Sequence, residues 1–362
     1  MAVVDTHAAH HDDHHDQGEF IAHHFDSAEQ QFDSGKLGIW VFLVTEVLFF
    51  SGLFVAYTLY RNHHPEIFEQ AHVYLDKILG GLNTVVLLFS SLTMAMAVRS
   101  AQLAKNKNCA NYILVTMVCA AVFLGVKAVE YSHKWDKGIF VRSGFHLLKE
   151  HTHPKTEIGI GLGISDYLVY ISVIPTVLLV VFVVAAVLGK MNQKSNFSKL
   201  MVALAITVGG YFLGAVGGQV YQDTQHHAGG HASNQPVLLH AVTATDDQHA
   251  ASTDEHNQAA ATPAPGSEQA GGTEHADNMG GHHPKEKLDR DVGIFFSIYY
   301  CMTGLHAVHI FGGIVALAWI YWRSLLGHWR NDYFGPVDYV GLYWHLVDLI
   351  WIFLFPLLYL ID

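Results

Sequence analysis

Charged side chains are scarce in this sequence. Asp, Glu, Lys and Arg make up 14% of its 362 residues, whereas a soluble globular protein has roughly 25%. Hydrophobic residues make up 51%. This balance argues against an ordinary soluble domain and indicates a membrane protein. The formal net charge of −12 comes mostly from two polar segments, so it gives no reason to expect a nucleic-acid partner.

Cysteines and short catalytic motifs are also rare. Cys109, Cys119 and Cys301 are too few and too scattered for a disulfide framework or a CxxC metal site. The sequence contains no GxGxxG, Walker loop, zincin motif or nucleophile elbow. The first 34 residues lack the basic start and short apolar core of a signal peptide, so we expect the first apolar segment to be an uncleaved anchor.

Long apolar windows dominate the rest of the chain. Each has about 20 residues or more, which is enough to cross a bilayer as a helix. We therefore predict an all-α, polytopic transmembrane helical bundle. Its seven spans are expected near residues 37–60, 78–98, 110–131, 168–188, 200–220, 292–322 and 339–361.

Two polar segments lie outside these spans. Residues 1–34 and 222–287 are rich in His and other polar or small residues, cannot bury enough apolar area to offset chain entropy, and are expected to be disordered. The predicted organisation is a His-rich tail (1–36), three spans (37–131), an extramembrane loop (132–167), two spans (168–220), a low-complexity His-rich insert (221–290) and two spans (291–362).

Basic residues in the connections predict the orientation. Lys and Arg follow spans two, four and six and precede span one, which places these connections and the N-terminus in the cytoplasm. The 221–290 insert is then periplasmic, in the inner membrane of a bacterium. The loop after span three is also basic, but it is longer, and the rule weakens there. Its basic residues are Lys134, Lys137, Arg142, Lys149 and Lys155.

The last span carries ionisable residues. His345 and Asp348 lie one helical turn apart, and Gly341 and Asp338 continue the same stripe. An ionisable group in hydrocarbon costs several kcal/mol, so it normally faces the interior of a bundle and marks a functional position.

Further ionisable residues lie in spans one, three and six. Glu46 is either protonated or paired, and a proton-related or lipid-facing role and a packing role are about equally supported. Glu130 can pair with Lys127 one turn away, and with His133 it forms E-x-x-H, the spacing of di-iron bundles. His306 and His309 share a face and suggest heme or metal ligation.

A hydrogen-bonded network between helices explains these groups better than a cofactor site. A di-iron site needs two E-x-x-H motifs, and the sequence has one. We therefore predict no catalytic residue and no metal site in this chain, and a buried polar network instead. Its predicted members are Glu46, Glu130, His306, His309, His345 and Asp348.

Five of the spans resemble the heme–copper oxidase subunit III family. The sequence LYWHLVDLIW at 342–351 is similar to the family's WYWHFVDVVW, and LNTVVLLFSSLTMAMA in span two to its LNTxILLxSGxTxTxA. Glu46 falls on the family's carbodiimide-reactive glutamate, and Glu130-Tyr131 on its QAxEY, with Lys127 in place of Gln. His306 and His309 match its TGFHGLH. Spans one, two, three, six and seven then correspond to family helices three to seven.

The resemblance implies an accessory, non-redox subunit of a proton-pumping terminal oxidase, most specifically cytochrome c oxidase. Heme and copper would be held by partner subunits I and II, with cytochrome c as a possible further partner, and this chain would hold structural phospholipid. The lipid contacts that we predict are Trp40, Glu46 and Arg99. The family's first two helices, which enclose a lipid cleft, are missing, while spans four and five and the His-rich segment are inserted.

Two alternatives stay open from the sequence, and a third, a membrane di-iron enzyme, is weakened by the shortage of E-x-x-H motifs. A quinol oxidase subunit III has the same motifs. A metal or proton transporter with His-rich sensing tails would be expected to show repeats and broken helices, which are not evident. The histidines of the tail and insert suit Cu²⁺ or Zn²⁺, although no ligand spacing repeats.

Overall fold

The computed structural model describes residues 25–136, 139, 156–158, 162–229, 284–331 and 333–361. The described part contains eight α-helices and a short antiparallel β-hairpin. The helices are α1 (Ala28–His63), α2 (Pro65–Ala71), α3 (Lys77–Gln102), α4 (Asn106–Asp136), α5 (Asp166–Met191), α6 (Ser195–Gly229), α7 (Pro284–Leu325) and α8 (Gly335–Tyr359); a 3₁₀ turn follows α2 at His72–Tyr74, and the strands are β1 (Thr156–Ile158) and β2 (Leu162–Ile164).

Seven of these helices are long and apolar enough to cross a membrane, and α2 is the short exception. The expected all-α, polytopic bundle with seven spans is therefore confirmed. The two strands and α2 lie in connections and had not been expected. Most of the tail and insert for which we expected disorder lies outside the described residues.

Helix α1 begins earlier than the hydropathy suggests. It starts at Ala28, inside the segment expected to be a polar tail, because the Ser27 side chain caps the helix by accepting a hydrogen bond from the Gln30 N–H. Tyr339 of α8 donates a hydrogen bond to the Phe32 carbonyl at 2.8 Å. The first two turns of α1 are thus held by the start of α8.

Helices α3, α4, α7 and α8 form the centre of the bundle. Helix α3 runs antiparallel to α4, with Thr93 hydrogen-bonded to Thr116 at 2.8 Å. It also runs antiparallel to α8, because Thr84 meets Trp351 near one end and Ser91 meets His345 farther along. Long side chains from all four helices, among them Phe123, Trp344 and Trp351, are fully buried between them.

Helix α6 lies against the outside of α4 and runs parallel to it. The approach is close, because a Cβ atom on Gly214 would come within 3 Å of the Val122 backbone, and one on Gly125 would clash with the backbone of Tyr211. Small residues at helix interfaces in membranes permit this kind of packing. Helix α5 packs against α6, and its spanning window is only 6% buried, so α5 forms the outer layer on this side.

We expect Gly214→Ala to separate α6 from α4. The added methyl group meets backbone atoms, which cannot move aside, so the change is expected to cost about 1–3 kcal/mol of folding free energy. Thermal unfolding of the detergent-purified protein measures the loss. Gly217→Ala is the matched control, because nothing lies within 4 Å of a Cβ atom there. Equal melting temperatures for the two variants would contradict the packing.

Candidate functional site

Glu130 lies at the centre of a buried ionic cluster near the end of α4. Its Oε2 accepts a hydrogen bond from Lys127 at 2.7 Å, and its Oε1 accepts one from Lys134 at 2.8 Å. Tyr299 of α7 and Tyr359 of α8 also donate to Oε1, at 2.8 and 2.6 Å. The Glu130 carboxylate therefore accepts hydrogen bonds from four donors on three helices, and Glu130 is only 2% exposed.

Aromatic rings surround the two lysines of this cluster. The Lys127 ammonium lies 4.4 Å from the centre of the Trp351 ring, and the Lys134 ammonium 4.9 Å from the Tyr299 ring. Lys127 also donates to the Tyr359 hydroxyl at 2.5 Å. Ring faces stabilise cations that are removed from water. The cluster consequently balances its two cations with one carboxylate, two phenols and π-faces.

Glu46 of α1 and His309 of α7 form a second pair. His309 Nε2 lies 2.9 Å from Glu46 Oε2, and His309 Nδ1 lies 2.8 Å from the Leu305 carbonyl. A carbonyl only accepts, so Nδ1 carries a hydrogen. The contact between Nε2 and Glu46 then contains one further proton, which belongs either to the carboxyl or to the imidazole. The pair is neutral overall in both forms.

Two hydroxyl contacts join α3 to α8 farther along the bundle. Asp348 is 2% exposed, and its Oδ2 lies 3.4 Å from Ser90 Oγ. Ser90 donates to the Leu87 carbonyl at 2.9 Å and accepts from Trp344 Nε1 at 3.1 Å. One turn away, Ser91 Oγ lies 2.6 Å from His345 Nδ1. Because a serine hydroxyl has one hydrogen, Leu87 and Asp348 compete for that of Ser90.

His306 occupies the interior without a hydrogen bond to another described residue. Its ring stacks on Trp351, with the ring centres 5.4 Å apart, and meets the edge of Phe123 at 5.6 Å. Neither ring nitrogen has a hydrogen-bond partner among the described residues. His306 therefore packs as an aromatic ring between α4 and α8.

Within the described residues, no group of three or more His, Cys, Asp or Glu side chains is arranged to hold a metal ion. Glu130, the carboxylate of the E-x-x-H motif, has its oxygens occupied by the four donors. The His-rich tail and insert that suit Cu²⁺ or Zn²⁺ lie outside the described residues.

Comparison with known families gives the decisive match. The model of the family "Cytochrome c oxidase subunit III" matches residues 1–148 and 289–362, which is more than half of the chain. The chain belongs to the cytochrome c oxidase subunit III family. Helices α1, α3, α4, α7 and α8 fall within the match, apart from the first residues of α7. Residues between the two matched parts include α5 and α6, so the subunit III match is interrupted where the sequence suggested inserted spans.

Individual relatives match over shorter stretches. Cytochrome c oxidase subunit 3 of Thermostichus vulcanus is 42% identical over 70 residues, which cover 19% of this chain and 35% of the relative. The subunit 3 of a Synechocystis species is 43% identical over 70 residues, covering 19% of this chain and 30% of the relative. The heme-copper oxidase subunit I+III of Aeropyrum pernix is 35% identical over 75 residues, covering 20% of this chain and 9% of the relative.

The chain thus spans about a third of the length of the first two relatives. No solved structure shows significant similarity to it. The membership in the subunit III family, together with the seven apolar helices, makes this a multi-pass membrane protein.

The structure distributes the six expected network residues over several separate contacts. Glu46 meets His309, Glu130 lies in the ionic cluster, and Asp348 and His345 each meet a serine of α3. His306 makes no hydrogen bond to another member of this network among the described residues, and its ring packs on that of Trp351. Among the residues assigned to lipid, Trp40 and Arg99 are exposed on α1 and α3.

Several members of the ionic cluster were missed from sequence. Lys134 was assigned to the basic loop after span three, but it is in α4 and only 3% exposed. Its position four residues after Glu130 was the available signal. Tyr299 and Tyr359 lie far from Glu130 in the chain, so nothing in the sequence linked them to it.

Glu130→Gln is expected to destabilise the folded chain by about 3–5 kcal/mol, because it leaves two buried lysines without a counter-charge. Glu66→Gln is the matched control, since the Glu66 side chain is 61% exposed. The fraction of monodisperse protein after mild heating in detergent reports the difference. If both variants survive equally, the cluster does not hold the helices together.

Glu46→Gln and Glu46→Leu test the pair with His309. Glutamine keeps a hydrogen bond to Nε2 and is expected to melt close to the wild type. Leucine leaves Nε2 without a partner and is expected to cost about 1–3 kcal/mol. Thermal unfolding compares the two variants. A glutamine variant as unstable as the leucine variant would mean that the ionic form of the pair is required.

Proposed function

We propose that this chain is the accessory, non-redox subunit III of a proton-pumping heme–copper terminal oxidase of aerobic respiration, specifically a cytochrome c oxidase. The observation that carries the proposal is the family match over both parts of the chain, residues 1–148 and 289–362. The two relatives described first are both named cytochrome c oxidase subunit 3, which favours cytochrome c over quinol as the electron donor.

In this role the chain contributes to an oxidoreductase without containing its catalytic centre. Its buried ionisable groups contact other protein groups: Glu130 is held by two lysines and two tyrosines, and Glu46 by His309. The tyrosine and histidine contacts join α4 to α7 and α8, and α1 to α7. We therefore assign heme and copper to partner subunits and assign to this chain the stabilisation of the catalytic subunit.

The proposed partners are catalytic subunit I, subunit II and, more distantly, cytochrome c. A relative whose name joins subunits I and III supports contact with subunit I. The assembly would lie in the inner membrane of a bacterium, with the N-terminus in the cytoplasm and the 221–290 insert in the periplasm. The basic connections after spans two, four and six support this orientation.

Structural phospholipid is the proposed ligand of the exposed face near Glu46. A groove of about 260 Å³ separates α1 from α8 and is lined by apolar atoms, including those of Val47, Phe50 and Phe353. Phe50 also contacts the ring of His309, so the groove adjoins the Glu46–His309 pair. In a bilayer, lipid acyl chains fill the space around such a groove. Trp40 and Arg99 are proposed as further lipid contacts because both are exposed.

Purification of the tagged full-length chain from its native membrane tests the proposal. We expect a catalytic subunit to co-purify and the preparation to show the reduced-minus-oxidised spectrum of heme a. A colourless, solitary protein would contradict the proposal, and transport of a metal ion by that protein in liposomes would favour a transporter instead.

Asp348→Ala is expected to lower the amount of co-purified heme per tagged chain. It removes a side chain between α3 and α8 and leaves a cavity beside Ser90, at a cost of about 2 kcal/mol. Asp348→Asn is the control, because its amide fills the same space and can donate to Ser90 Oγ while Ser90 donates to Leu87. Equal heme content in the alanine variant and the wild type would show that this contact does not support assembly.

A further inference from the structure

Two polar side chains are completely buried in the bundle without a hydrogen bond to any other described residue. They are Asn83 of α3 and His306 of α7, each 0% exposed. Both polar atoms of the Asn83 amide and both ring nitrogens of His306 are unpartnered among the described residues. Buried polar groups in native proteins are almost always paired with protein or with ordered water.

The two side chains lie at nearly the same height in the bundle. Helices α3 and α4 are antiparallel, and Thr93 is paired with Thr116. Asn83 lies ten residues before Thr93 on α3, and Val126 lies ten residues after Thr116 on α4. Because the two helices are antiparallel and rise equally per residue, Asn83 lies level with Val126 and Lys127. His306 reaches the same level from α7, since its ring contacts Phe123 of α4 and Trp351 of α8.

Trp351 connects the four helices at this level. Its Nε1 donates to Thr84 Oγ1 of α3 at 3.0 Å. Its ring stacks on His306, meets Phe123 with ring centres 4.8 Å apart, and lies under the Lys127 ammonium. We call this set the Trp351 layer; it consists of Asn83, Thr84, Phe123, Lys127, His306 and Trp351.

The charged groups in the layer and next to it already have partners. Lys127 donates to Glu130 and to Tyr359 and faces the Trp351 ring. Glu130 accepts four hydrogen bonds. Neither Asn83 nor His306 has a described hydrogen bond to the ionic cluster, although Lys127 lies against the same Trp351 ring as His306.

We propose that the Trp351 layer binds ordered water, hydrogen-bonded to the Asn83 amide and the His306 imidazole. An amide offers two donors and an acceptor, and a neutral imidazole one of each. Water, which donates and accepts, matches this mixed set, and buried waters commonly make about three such bonds. A metal cation suits the set poorly, because the Lys127 ammonium repels it and the amide N–H groups cannot bind it. The proposal concerns the chain itself and holds whether or not the chain assembles with an oxidase.

Hydroxyl-radical footprinting of the full-length chain in lipid nanodiscs tests the proposal. Radiolysis of bound water oxidises neighbouring side chains even where bulk solvent does not reach. Met302 is the reporter, because it lies one turn before His306 on the same face of α7. Met94 and Met117 are matched controls, since all three methionines are 0% exposed.

We expect Met302 to be oxidised roughly fivefold faster than the two controls, as a residue beside bound water. Equal rates for the three methionines would overturn the proposal without the need for any variant. In the double variant Asn83→Leu, His306→Phe, apolar groups of similar size replace both polar partners, and Met302 should fall to the rate of the controls. Rapid oxidation of Met302 in that folded variant would also overturn it.

Discussion

The contact on which the bundle depends most is the one between Glu130 and its four donors. In a bilayer, burying apolar surface against another helix gains little over burying it against lipid, so packing and polar contacts must select the partners. Glu130 accepts hydrogen bonds from Lys127 of its own helix α4, from Tyr299 of α7 and from Tyr359 of α8. Lys127 and Lys134 balance the carboxylate from within α4. A displacement of α7 or α8 would leave a buried tyrosine hydroxyl without its acceptor in a medium of low dielectric constant, so the two tyrosines tie α7 and α8 to α4.

The two faces of α4 contact neighbouring helices in different ways. Its inward face carries Lys127, Glu130 and Lys134, which bind through charge. Its outward face carries Gly125, which lets the backbone of α6 approach through Tyr211. The α5–α6 pair, which lies in the part of the chain without a match to the family, thus packs on the back of α4. The described hydrogen bonds to Glu130 come from α4, α7 and α8 alone, so the α5–α6 pair packs on α4 without taking part in the ionic cluster.

Much of this architecture could be predicted from the sequence, because apolar length reports spanning helices directly and the i, i+3 spacing brought Lys127 to Glu130. Hydropathy could not find the helix ends that leave the apolar windows: α1 begins at Ala28 because of a serine cap and contacts with α8. Lys134 was read as a loop residue for the same reason, since the last turn of α4 is polar in sequence. That the His306 ring packs on Trp351 and makes no hydrogen bond to Asp348 depends on how α7 faces α8, which spacing along one helix does not encode.

The ionisable groups of the spans differ in the kind of partner that they have, and the difference follows their surroundings. Where charge is fully enclosed, as at Glu130, several donors from several helices are needed, because each missing one would cost desolvation free energy. The Glu46–His309 pair is 16–18% exposed at its side chains, and a single shared proton keeps it neutral next to lipid. His306 and Asn83 are uncharged groups in the interior, for which water is sufficient. Graded in this way, the polar groups join α1, α3, α4, α7 and α8, the long helices that fall within the family match.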